Sequence, residues 1–280
     1  IAFDIGSEFR MSQLKKMGKV ATFIGIFQAV ITTILVDIIL LSLNLVPVPV
    51  AITLGAIASA TAPAATLMVV RQFKAKGPVT ELLLPIVALD DAAGLVIFAV
   101  SIGTAQALMG GSINLISIGI NPLIEIISSL ILGGLMGIIL TYLEKLFFSN
   151  TNRLFVLSGA RLELGVFKYN AVIITGIAYI LSRCVGKYFG ALWSSTAMKC
   201  NSDVKKYLGI TLFPQAGVAL GMVVSAQSLG EEYGGIIRNI ILFSVLIYEL
   251  FGPMLTRWAL TKAGEIEPAK PEHKNRLRFK

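Results

Sequence analysis

Asp90 and Asp91 stand side by side within one apolar stretch, Thr80 to Leu108, TELLLPIVALDDAAGLVIFAVSIGTAQAL. The stretch is long enough to cross a bilayer, for which about 20 apolar residues suffice. An ionised carboxylate at mid-membrane costs roughly 3 kcal/mol on insertion scales. An unpaired couple therefore costs on the order of 6 kcal/mol, too much for residues without a task. Two carboxylates held together also hinder each other's ionisation, so a proton and a cation compete for them. Adjacent helical residues point about 100° apart. One aspartate is thus expected to face an ion path and the other a protein partner. Arg183, the most central cation in any later apolar stretch, is the expected partner. Lys187, one turn on, is the second choice and is placed toward the cytoplasmic end. The plainer reading of Arg183 is a side chain that reaches to the membrane interface.

Composition indicates what must position these groups. Of the 280 residues, 55% are hydrophobic and 14% charged, whereas a soluble domain is nearer one quarter charged. Several apolar runs reach membrane length and strand alternation is absent. The chain therefore reads as an all-α polytopic membrane protein, not an outer-membrane barrel. The formal charge of +8 marks cytoplasmic loops rather than nucleic-acid binding. Cys184 and Cys200 lack metal-ligand spacing, and the single histidine, His273, lies in a polar tail, so neither a cofactor nor a histidine-based metal site is expected. The chain opens on Ile1, and IAFDIGSEFR reads as the end of an apolar segment, so further N-terminal helices are expected to precede it.

The apolar runs predict spans over about 18–41, 51–70, 80–108, 122–143, 169–190, 207–229 and 234–260. A half-length apolar unit covers 154–166, and a polar tail covers 261–280. Asp37 falls near the far end of the first span, at the expected polar interface. Pro63 sits inside the second span, in SATAPAAT, among the small residues Ser59, Ala60, Thr61 and Ala62. Proline removes a backbone donor and clashes with the preceding turn. The result is either a simple kink or a true break whose freed groups face a cavity. Pro214 occupies the same position in the seventh unit, in LFPQAGVALG with Gln215 and Gly217. If every apolar unit crosses once, the basic residues gather on one side, which places the C-terminus in the cytoplasm. The two proline-interrupted spans then run in opposite directions, as in an inverted-repeat transporter with its site at mid-membrane. Their half-helix ends leave partial charges that the neighbouring Asp and Arg can balance. Asp91, Thr61, Ser59 and freed backbone carbonyls offer the oxygen ligands that suit a hard monovalent cation.

ATAPAAT, the LDDA helix and LFPQAGVALG resemble the monovalent cation:proton antiporter family, of the sodium/proton exchanger type. GSEFRMSQLKKMGK and FVLSGARLEL are also similar to stretches of that family. The resemblance covers most of residues 1–260. It implies a core with two crossed discontinuous helices, a dimerisation domain and residence in the plasma (inner) membrane. It implies Asp91 as the main carboxylate for cation and proton. Asp90 becomes its partner, paired with the basic residue of the fifth full span when protons are scarce. That position is commonly lysine in acidic-pair relatives. The spacing in SRCVGKYFGA places it at Arg183, and arginine does not release its proton. The acidic pair further implies electrogenic exchange. Relatives have about a dozen spans, and the sequence jumps near residues 152–155, so an internal segment is expected to be missing there as well as the N-terminal helices.

Two other classes remain in view. An uncoupled cation channel, or a relative that no longer transports, would lack cation-dependent proton movement. An intramembrane aspartyl protease needs its two aspartates on separate helices, and here they are neighbours on one.

Overall fold

The computed structural model describes residues 18–110, 131 and 170–266. The expected span over 122–143, the half-length unit over 154–166, the junction near 152–155, the first 17 residues and the end of the tail lie outside the described residues. Every regular element among the described residues is helical: α1 (Lys19–Ser42), α2 (Val48–Ala58), α3 (Pro63–Gln72), α4 (Pro78–Gly110), α5 (Asn170–Ala197), α6 (Ser202–Thr211), α7 (Gly217–Ala226) and α8 (Gly230–Lys262). A single 3₁₀ turn, Gln227–Leu229, joins α7 to α8. Among the described residues, five helical stretches are long and apolar enough to cross a membrane: Lys19–Ser42, Val48–Gln72, Pro78–Gly110, Val172–Ala197 and Gly217–Lys262.

Proline decides where helices stop only in some places. Pro85 lies inside α4 and Pro253 inside α8, and both helices continue through them. Pro63 instead opens α3 at its first position, where its missing N–H has no partner to lose. Residues 59–62 are left between α2 and α3, and residues 212–216 between α6 and α7. Both expected interruptions are therefore breaks, not kinks. The loop expected over 193–206 is shorter than the sequence suggested. Helix α5 runs to Ala197 and α6 starts at Ser202, where the Asn201 side chain accepts bonds from the backbone N–H of Asp203 and Val204, each 2.9 Å.

Along several helices the buried residues follow one order. On α1, Ala21 and Ile24 belong to one apolar cluster and Val36 and Leu40 to another, with Gln28 and Thr32 buried between them. On α5, Tyr179 belongs to the second cluster and Ala191 to the first, with Ser182, Arg183 and Lys187 buried between. On α4, Val87 and Phe98 flank Asp90 in the same way. A polar layer thus separates two apolar cores. Helices α1 and α5 are antiparallel and close. A Cβ on Gly186 would stand 2.8 Å from Thr32 Cα, and one on Gly190 2.9 Å from Gln28 Cα. Small residues allow this kind of approach between membrane helices.

The chain beyond α8 does not turn directly into a polar tail. Glu265 and Ile266 are buried. The Glu265 carboxylate accepts from Val79 N (2.6 Å), Thr80 N (2.8 Å) and Thr80 Oγ1 (2.6 Å). Lys76 N donates to the Glu265 carbonyl at 3.1 Å. The first turn of α4, whose N–H groups have no partners inside the helix, is thus clamped by the end of the α8 segment.

Candidate functional site at the helix crossing

The two interruptions touch. Ala62 N donates to Pro214 O at 2.8 Å, and Thr66 Oγ1 to Thr211 O at 3.4 Å. The C-terminal ends of α2 and α6 and the N-terminal ends of α3 and α7 converge there. Helix C-terminal ends carry partial negative charge and favour cations. Helix α5 supplies both cations from one face, because Tyr179, Arg183 and Lys187 recur every four residues.

Arg183 is fully buried and donates to three backbone carbonyls: Ala58 O (2.9 Å), Ala60 O (2.6 Å) and Phe213 O (2.6 Å). One is the last of α2, one lies in the first interruption and one in the second, so a single guanidinium closes both half-helix ends. The Tyr248 ring lies against it, 4.6 Å from centroid to Cζ, at a cation–π distance. Gln215 Nε2 donates to Ile57 O at 2.9 Å and pairs with the Tyr179 hydroxyl. The second interruption is thereby tied to the end of α2.

Lys187 is fully buried and forms the ion pair. Its Nζ lies 2.7 Å from Asp90 Oδ2. It also donates to Thr61 Oγ1 at 2.9 Å and to the carbonyl of Ser59. Thr61 Oγ1 donates to Asp90 Oδ2, and Gln28 Nε2 donates to Asp90 Oδ1. Asp90 is thus fully buried and held from α1, from the first interruption and from α5. Asp91, the next residue, turns away. It is only half-buried, and its Oδ1 has no hydrogen-bond partner. The two carboxylates differ as a 100° rotation requires.

These positions correct part of the sequence reading. The cation that pairs with Asp90 is Lys187, not Arg183. The reason is axial position: the first interruption lies level with Lys187, and Arg183 is taken up one turn earlier by the half-helix carbonyls. Nor does Lys187 lie near a helix end, since it is ten residues inside α5, about 15 Å at 1.5 Å per residue. The objection that the paired cation cannot release its proton falls with the correction, because a lysine can. Ser59 contributes its carbonyl, while its hydroxyl stays on its own helix, bonded to Ala56 O. Gly217 only begins α7. Gln28 was missed by the sequence reading. Its signal was a lone amide in the middle of an otherwise apolar run.

An all-helical membrane protein with two interrupted helices crossing at a buried carboxylate–lysine pair has the build of a secondary transporter. The family match agrees: residues 1–158 fit the family described as sodium/hydrogen exchanger, transmembrane. The chain belongs to that family and is a cation/proton exchanger-type integral membrane transporter. The family comprises transporters rather than enzymes, which removes the support for a protease. A search of curated proteins found no match. The matched region holds the first interruption and both aspartates. Arg183, Lys187 and the second interruption lie beyond it.

Proposed function

We propose that the chain exchanges one monovalent cation, with Na⁺ favoured over K⁺ or Li⁺, for protons by alternating access, with Asp91 as the carboxylate that either ion occupies. The observation that supports this reading is the buried Lys187–Asp90 pair at the crossing, next to an Asp91 oxygen that has no protein partner. A cation that arrives at Asp91 displaces its proton. It also draws on Asp90, and so competes with Lys187 for the same carboxylate. An ammonium left without its counter-ion in a dry site gives up its proton. One cation then replaces two protons, and exchange moves net charge. Thr61 Oγ1 and the Ser59 carbonyl, freed when Lys187 withdraws, supply neutral oxygens to the incoming ion.

The basic residues at and beyond the end of α3 (Arg71, Lys74 and Lys76) and at the α5–α6 junction and the start of α6 (Lys199, Lys205 and Lys206) support a cytoplasmic face at the α4 N-terminus. Residues 1–260 form the exchange unit and 261–280 its cytoplasmic tail, the first residues of which pack on α4. A homodimer in the plasma (inner) membrane completes this reading.

The test is proton flux in proteoliposomes. A pH gradient is imposed and read with a fluorescent dye, and Na⁺, K⁺ and Li⁺ are then added in turn. Dequenching by one cation, abolished in Asp91→Asn, is the expected result. Full activity in a well-folded Asp91→Asn protein refutes the role of Asp91, and current without proton coupling refutes exchange.

A further inference from the structure

Asp37 is a further carboxylate inside the apolar region, and nothing in the exchange site uses it. It lies five residues before the end of α1, about 7.5 Å inside the helix terminus. The Asp37 Oδ1 atom is buried without a hydrogen-bond partner. It packs on α2 at Gly55: a Cβ there would overlap Oδ1 and stand 2.7 Å from Cγ, with Thr33 O at 3.0 Å. The glycine leaves room for the carboxylate, with the Thr33 carbonyl at its side.

Among the described residues, the charged groups of the helices packed on α1 are acidic, engaged elsewhere or at its opposite end. Helix α2 has no charged residue. On α5 the charged groups are Arg183 and Lys187, engaged with carbonyls and with Asp90. On α4 they are Glu81, Asp90 and Asp91, and on α1 only Lys19 at the opposite end. Among the described residues no counter-ion is paired with this carboxylate and its Oδ1 has no donor, so it is costly ionised and acceptable protonated. It is also close to the exchange site. Gly55 precedes Ser59 by one turn of α2, about 6 Å along the axis. Asp37 therefore stands between the crossing and the membrane face at which α1 ends.

We propose that Asp37 is a second proton-binding carboxylate, which holds a proton between the crossing and that face and passes it to and from the exchange site. The relay role rests on the exchange reading above; the protonation of Asp37 does not.

Two measurements on the full chain test it. Infrared spectra at neutral pH, for the unaltered protein and Asp37→Asn, should differ by loss of one carbonyl band of a protonated carboxyl group. In proteoliposomes, Asp37→Asn should lose the dependence of exchange rate on the pH of the side where α1 ends, and keep the dependence on the other side. Gly55→Ala, which fills the carboxylate's space, should reproduce both losses. An unchanged band, or a lost band with unchanged pH dependence on both sides, overturns the proposal. Absence of exchange by the unaltered chain refutes the exchange reading instead, and the infrared comparison then still decides whether Asp37 holds a proton.

Discussion

The two helix interruptions are built alike and used differently. Each places a helix C-terminal end, a short extended stretch and a new helix N-terminal end at the crossing. The first offers side-chain and backbone oxygen to the charged groups: Thr61 touches both Asp90 and Lys187, and the Ser59 carbonyl accepts from Lys187. The second offers carbonyls and an amide to the frame. Phe213 O accepts from Arg183, Pro214 O accepts from Ala62 N, and Gln215 bonds Ile57 O and the Tyr179 hydroxyl. Among the described residues, none of its groups hydrogen-bonds Asp90, and its nearest link to the charged groups is the Leu212 carbonyl, which accepts from Thr61 Oγ1 at 3.5 Å. A symmetric fold has therefore divided its labour, with chemistry at one interruption and bracing at the other.

That division can be broken. The largest effect is expected from Lys187→Ala, which strands Asp90 in a dry site. Breaking a buried pair from one side costs about 3–5 kcal/mol, so melting temperature and cation-dependent proton flux should both collapse. Arg183→Met follows. It frees three buried carbonyls at both interruptions and should cost on the order of 3 kcal/mol, read as a lower melting temperature. The protein that remains folded should keep its pH profile of exchange. Thr61→Val comes next. Its hydroxyl bonds both Asp90 and Lys187, and a hydrogen bond to a charged group is worth about 1.5–3 kcal/mol, so exchange should fall, its pH profile move and the melting temperature drop. Gln215→Leu is the mildest, at about 1 kcal/mol of stability, with an unshifted pH profile. A shifted profile in Gln215→Leu, or an unshifted one in Thr61→Val, would end the distinction between the two interruptions.

The legible parts were those that repeat along the chain. Apolar run length gave the first three spans to within three residues, because hydrocarbon thickness dictates it, while α5 runs seven residues past its expected end. Pro63 and Pro214 marked the breaks because each stood among small residues in a mid-span position. Yet Pro85 and Pro253 sit inside continuous helices, so proline alone was no guide. The exchange of roles between Arg183 and Lys187 could not be read from spacing. Both lie on one face of α5, one turn apart, and either could have met Asp90. What decides is the height at which the interruptions pass α5. That height depends on how far α1 and α5 settle together at Gly186 and Gly190, a property of packing between segments distant in sequence. The loop charge count gave an orientation for the chain but no depth for Asp37.

The Glu265 clamp limits how far the chain can be shortened. A chain cut after Ile266 keeps all four bonds between this segment and residues 76–80. A chain cut before Glu265 loses them together and leaves the foot of the aspartate-bearing helix open to water. A fusion partner or affinity handle therefore belongs beyond that point, on a slack tether. A load on a taut one would be carried straight to α4, the rod on which Asp90 and Asp91 are mounted.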